Sequence, residues 1–255
     1  MKRSLVLAIA LGLMAAGCGS DVSPTPLRDS SSGMSPASSA APEPSPSSPD
    51  RAPKAPTPPS AAAAEYFSSV AQIDGATRDR MQHSWRPGCP VPLEDLRLLT
   101  VAHWGFDGRE HRGELVVHAD AADGLGGVFR SLFDARYPIE RMELVDVYGA
   151  DDDASMAANN SSGFNCRPVT GNPGVWSEHS FGRAIDLNPV QNPYVASAGA
   201  VLPPLGEAYV DRSRSSPGMI HADDAVVRAF AAIGWAWGGD WTSPKDYQHF
   251  SATGR

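Results

Sequence analysis

What the chain lacks narrows its class first. Beyond a short N-terminal run, no segment is apolar enough to span a bilayer as a helix, which sets aside a helical membrane protein. Positive charge is scarce: 21 Lys and Arg stand against 29 Asp and Glu, giving a net charge of −8 and a pI near 5.3. A nucleic-acid partner would favour a basic face, so that class is set aside too. No internal repeat is visible. There are 3 cysteines, Cys18, Cys89 and Cys166, enough for at most one bridge. The acidic run Asp151-Asp152-Asp153 lacks the Gly and closing Glu of a calcium loop and reads as a solvated turn.

The residues that are present begin with an export signal. Lys2 and Arg3 precede an apolar run from Leu5 to Met14, too short for a permanent membrane helix. The run ends in Ala15-Ala16-Gly17-Cys18, which resembles the lipobox of bacterial lipoproteins, with Ala15 where Leu is more usual. That resemblance implies a signal peptide over residues 1–18, cleavage before Cys18 and lipidation of its thiol; an ordinary secretory signal with an incidental Cys18 is the alternative. Acyl chains contribute about 0.8 kcal/mol per buried CH₂, so a lipidated Cys18 anchors the chain to a membrane surface. Residues 19–64 are mostly Ser, Pro, Ala and Thr with about half of the 23 prolines, a composition with too few apolar side chains to offset ordering entropy. As an extended tether this stretch would reach roughly 140 Å at about 3.1 Å per residue; an inert linker would have the same composition. The expected location is therefore outside the cell, on the outer face of the cytoplasmic membrane or at the cell wall.

Residues 65–255 suffice for one domain with a real core. Leu96–Phe106 and Gly113–His118 read as a hairpin around Asp107-Gly108. Leu125, Val128, Phe129, Leu132 and Phe133 recur at helical spacing after Asp120, and Val226, Val227, Phe230 and Ile233 do so in a second helix over 223–233. Met142–Tyr148, Ala184–Leu187 and the segment from Trp235 read as strands. Strands that pair locally, with helices placed irregularly between them, predict an α+β fold. Cys89 and Cys166 form an even pair once Cys18 is lipidated. In an oxidising compartment a bridge between them would stabilise by about 3–4 kcal/mol; two buried thiols, or a nucleophilic Cys166, are the other readings.

Two segments carry chemistry. Ser177-Glu178-His179-Ser180-Phe181-Gly182-Arg183-Ala184-Ile185-Asp186 offers an imidazole and a carboxylate, and Asp246-Tyr247-Gln248-His249-Phe250 offers another of each. Imidazole nitrogen and carboxylate oxygen are both zinc donors, and a catalytic zinc takes three protein ligands with one open position. His179, Asp186 and His249 would supply them. Asp246 would serve as general base and then general acid, and Arg167 as a guanidinium donor to developing negative charge. Glu178 is set aside as a second base because neighbours on an extended segment point apart. Alone, a His and an Asp at this spacing are more often a structural hydrogen-bonded pair. His103 and His118 read as sheet residues, and His83, His111 and His221 as loop residues. Trp235, Trp237 and Trp241 are core or cleft floor, with core favoured for at least two.

The pattern SxHxxGxAxD (Ser177, His179, Gly182, Ala184, Asp186) followed by (D/E)xxH (Asp246, His249) resembles the D-Ala-D-Ala carboxypeptidase and dipeptidase family of zinc enzymes. That family includes L-alanyl-D-glutamate endopeptidases and is grouped with lysostaphin-type and hedgehog-type domains. The resemblance implies a small antiparallel sheet with flanking helices around a zinc cleft. It implies one Zn²⁺ on His179, Asp186 and His249, Asp246 as catalytic acid/base, Arg167 steadying the substrate carbonyl, and Ser177 at the substrate edge. The expected substrates are peptidoglycan stem peptides, cut at bonds involving D-amino acids by a monomeric enzyme. Carboxypeptidase action is slightly preferred over endopeptidase action, with a non-catalytic wall-binding lipoprotein as the third reading. Two departures stand out: Asp246 where dipeptidases carry Glu, and Arg167 in FNCRP rather than SGYR.

Overall fold

The computed structural model describes residues 65–255; the expected signal, Cys18 and the tether lie outside the described residues. Strand β1 (Ser68–Gln72) pairs antiparallel with β2 (Leu96–Trp104), which pairs with β3 (Glu110–His118) from Leu96↔His118 to Trp104↔Glu110. The hairpin forms where the sequence predicts it. Asp107 Oδ1 accepts the Arg109 N–H at 3.0 Å inside the turn, and Gly108 takes φ +71°. His111 is a strand residue opposite His103 rather than a loop residue, because pairing runs closer to the turn than the apolar pattern extends. Between β1 and β2 lies the short helix α1 (Gly75–Arg80), whose N-cap Asp74 accepts the Thr77 N–H at 2.8 Å.

Helix α2 (Ala119–Asp134) buries Ala122, Leu125, Val128, Phe129 and Leu132 on one stripe. These side chains share a core with Leu99 and Val101 of β2 and Leu115 and Val117 of β3. The expected strand over 142–148 is a correction. Only β4 (Arg141–Met142) is extended, pairing parallel with β5 (Asn160–Ser161), and Val145–Tyr148 forms a 3-10 turn. Alternating burial fails there: Leu144 and Val145 are both buried while Val147 is exposed. Asp146 Oδ1 also draws the segment into a turn by accepting the His83 and Ser84 N–H groups at 2.7 and 2.9 Å.

Helix α3 (Asp152–Ala157), the hairpin β6 (Pro168–Val169) and β7 (Asn172–Trp176), and β8 (Ala184–Asp186) follow. Then come β9 (Tyr194–Val195), β10 (Val201–Leu202), α4 (Ala225–Ala231), β11 (Ala236–Trp237), β12 (Lys245–Asp246) and β13 (His249–Ser251). One small sheet runs β11-β13-β8 and another β10-β9-β12, all antiparallel. Small, mostly antiparallel sheets with few helices agree with the α+β expectation. Phe250 of β13 stacks on Phe230 of α4 with ring centroids 4.0 Å apart, joining this sheet to the α2 core. Cys89 and Cys166 are disulfide-bonded, with Cα atoms 5.9 Å apart, which removes the thiol and nucleophile readings. Among the described residues no helix is long and apolar enough to cross a membrane.

Candidate metal centre and cleft

Strand pleating brings two of the predicted donors together. β13 pairs with β8 so that Phe250 opposes Ile185 and His249 opposes Asp186. Ile185 and Phe250 are both wholly buried in the core. Since successive side chains alternate faces, Asp186 and His249 project side by side from the opposite face. The two antiparallel bonds between Asp186 and Ser162, at 2.9 and 3.0 Å, buttress the other edge of β8.

The third donor arrives on a tight turn. Glu178–Phe181 is a 3-10 segment whose N-cap Ser177 accepts the His179 N–H at 3.4 Å. Gly182 closes it at φ +65°, where a Cβ would stand 2.6 Å from the His118 amide nitrogen. The Gly of the motif is thus demanded by both conformation and space. Because the segment is coiled, Glu178 also lines the cleft, contrary to the extended geometry expected for it.

Ring orientation follows from the acceptors. A carbonyl can only accept, so His179 Nδ1–H donates to Gly163 O at 2.6 Å and leaves Nε2 with its lone pair, 3.1 Å from Asp186 Oδ2. His249 Nε2–H donates to the main-chain oxygen of Arg255 at 3.0 Å and leaves Nδ1 facing Asp186 Oδ1 at 3.0 Å. The three residues are buried, and one donor atom from each lies within 4.8 Å of the others. Two imidazole nitrogens turned toward one carboxylate, each ring held by a main-chain oxygen behind it, make a group that could hold a metal ion. The electrostatics agree with a site made for a cation. Burial opposes a charged His249, yet the hydrogen bond and charge of Asp186 outweigh it and push its pKa up to about 9. Burial likewise opposes ionisation of Asp186, but His179 and His249 hold it well below the usual carboxylate range.

Asp246 lines the same cleft from β12. Its main chain comes close to Gly238, where a Cβ would meet Asp246 O at 2.6 Å. Its Oδ1 is buried without a partner, and burial pushes its pKa up to about 7 against the pull of His249 and His179. Arg167 is also on the cleft wall. Its backbone is fixed by the neighbouring disulfide and by its N–H to Ser180 Oγ at 2.9 Å. Ser177 lines the cleft too, where it caps the turn bearing His179.

Asp152 was hidden in the sequence. It is not part of a solvated turn: only 25% of its side chain is exposed, and Oδ2 meets Arg167 Nη2 at 2.6 Å. Burial raises its pKa, with Arg167 pulling the other way. Asp151 caps α3 by accepting the Ala154 N–H at 3.0 Å, which turns Asp152 toward Arg167. The sequence signal was available only as an Asp preceding a helical run; nothing in the spacing ties it to Arg167. The Gly163 carbonyl behind His179 was equally invisible, since any residue type has one. Trp235 and Trp237 are core, and Trp241 lines the cleft 5.6 Å from the His249 ring. The other wall carries Trp176, Tyr194 and Leu202, around a cavity of about 290 Å³, close to the lower end of ligand-pocket sizes.

Residues 170–252 match the family model described as D-alanyl-D-alanine carboxypeptidase. No curated protein and no solved structure gives a match. The matched stretch contains His179, Asp186, Asp246 and His249, whereas Arg167 and Asp152 lie before it.

Proposed function

We propose, from the match of residues 170–252 to the family model described as D-alanyl-D-alanine carboxypeptidase, that the chain is a zinc-dependent peptidase hydrolysing peptide bonds with D-amino acids in cell-wall stem peptides. One observation carries the reading. Three buried donors converge with their lone pairs inward, and an unpartnered buried carboxylate, Asp246, shares their cleft. A purely structural site would gain nothing from that acid.

His179 Nε2, Asp186 and His249 Nδ1 would hold the ion. When bound, Zn²⁺ supplies Lewis acidity toward water and a peptide carbonyl. Asp246 accepts the proton that the attacking water loses and returns it to the departing amine nitrogen. Burial suits it to both halves, because it opposes the carboxyl's ionisation and so eases return of the proton to the amine. Arg167 donates to the carbonyl oxygen as negative charge grows there, and Asp152 holds one arm of its guanidinium on the cleft wall.

Carboxypeptidase action is the first reading, in line with the matched family. The Asp152 contact supports endopeptidase action as a second. A terminal carboxylate wants an uncommitted cation, and Arg167 already carries one carboxylate, while Arg183 pairs with Asp120 at 2.6 Å, away from the cleft; Arg255, which also lines the cleft, is the cation that the carboxypeptidase reading would call on. A Cys89–Cys166 disulfide fits an oxidising compartment, which supports export and, with the lipobox-like N-terminus, attachment beside the wall. Incubating the purified protein with muropeptides, with and without chelator, and following products by mass spectrometry tests all of this. Loss of D-Ala marks a carboxypeptidase and cleaved stems an endopeptidase. Unchanged muropeptides under every metal condition would leave a binding protein.

A further inference from the structure

Of the buried side-chain polar atoms without a partner among the described residues, three line this one cleft: Arg167 Nε, Asp246 Oδ1 and Gln248 Oε1. The mechanism above uses the first two and leaves Gln248 unexplained. Gln248 is 2% exposed, an unusual place for a carboxamide, whose four hydrogen-bonding sites are costly to bury unmet. The amide nitrogen reaches Met156 Sδ at 3.4 Å. A thioether can only accept, so the nitrogen faces the sulfur and Oε1 is the free end.

A peptide unit presents one acceptor and one donor. The cleft offers the complement, a buried donor in Arg167 and a buried acceptor in Gln248. We propose that Gln248 is a substrate-binding residue whose Oε1 accepts a backbone N–H of the peptide lying in the cleft, so that the site reads the polypeptide backbone as well as its side chains. This rests on the peptidase reading and adds to it a preference for amide-linked over ester-linked substrates at one position away from the scissile bond.

The test is a cycle between enzyme and substrate. A stem peptide that the full-length holoenzyme cleaves is compared with counterparts in which each non-scissile amide in turn is replaced by an ester, which removes the N–H and weakens the carbonyl as an acceptor, the second effect being common to wild type and variant. The expected result is one position at which the ester lowers kcat/KM about tenfold in the wild type. At that position the ester lowers it less than twofold in Gln248→Met, with zinc content unchanged. A merely structural role would lower both substrates equally in the variant. Equal ester effects in both proteins, or no ester effect at any position in the wild type, would overturn the proposal; the wild-type comparison stands even if the variant folds poorly. Failure of the wild type to cleave any stem peptide would instead sink the peptidase reading, and this proposal with it.

Discussion

His249 shows how the site's electrostatics translate into behaviour. In the metal-free protein Asp186 raises its pKa to about 9 against the effect of burial, so below that pH the ring carries a proton where a metal would bind. Zinc uptake must displace it. Apparent zinc affinity should therefore fall up to about tenfold per unit as pH drops below 9. Calorimetric zinc titrations in buffers of different ionisation enthalpy should register proton release at pH 7; a pH-independent affinity would contradict the assignment. The stability of the metal-free state runs the opposite way with pH. A raised folded pKa contributes stability that is complete below the unfolded value, near 6.5, and lost as pH rises through about 9. Asp152 is the second residue whose role can be read directly. Asp152→Asn removes the charge that holds Arg167, and kcat should fall about tenfold, a cost of about 1.4 kcal/mol. If Arg167 is freed to meet carboxylates, KM for substrates with a free C-terminus should fall relative to their amides. Parallel changes for both substrates would argue for a structural pair only.

At the scale of elements, the loop from Ser177 to Asp186 is set by constraints a sequence can express. Ser177 caps, Gly182 adopts positive φ against the His118 backbone, and Ala184, wholly buried, pairs with Ser251. Each depends on residue type, which is why the metal loop was legible. Gly182→Ala should destabilise by about 3 kcal/mol through its left-handed backbone and the close amide. That would lower Tm by roughly 6–12 °C and weaken zinc binding by displacing His179. A thermal melt and a zinc titration would check it, and an unchanged melt would count against the packing described. The hairpin and α2 were legible for a similar reason: period-two and period-3.6 apolar patterns coincide with real burial. Strand β1 was not, because its five residues are all exposed and carry no alternation. The 145–148 turn misled because Val-Asp-Val-Tyr alternates on paper while Asp146 is spent on capping the His83–Ser84 amides. Asp152 and Gln248 gave no signal, since their meaning comes from partners far along the chain.

For the whole molecule, the core built by α2, the hairpin and α4 carries β8 and β13, and these strands present donors on their far face. The Arg167 segment is held separately by the Cys89–Cys166 bridge, which spans 77 residues. Replacing both cysteines by Ala should cost about 3–4 kcal/mol of stability in denaturant unfolding. Catalysis should fall while zinc stays bound, because the bridge anchors Arg167 rather than the three donors. Loss of zinc in that variant would show that the two halves of the cleft are not independently supported. The central claim, that three side chains hold the ion while a fourth moves the proton, is tested most directly in Asp246→Asn, with metal content and muropeptide cleavage measured on the same preparation. The account predicts one equivalent of zinc retained and cleavage reduced by about 10²–10⁴-fold. Wild-type cleavage at full zinc occupancy would contradict it.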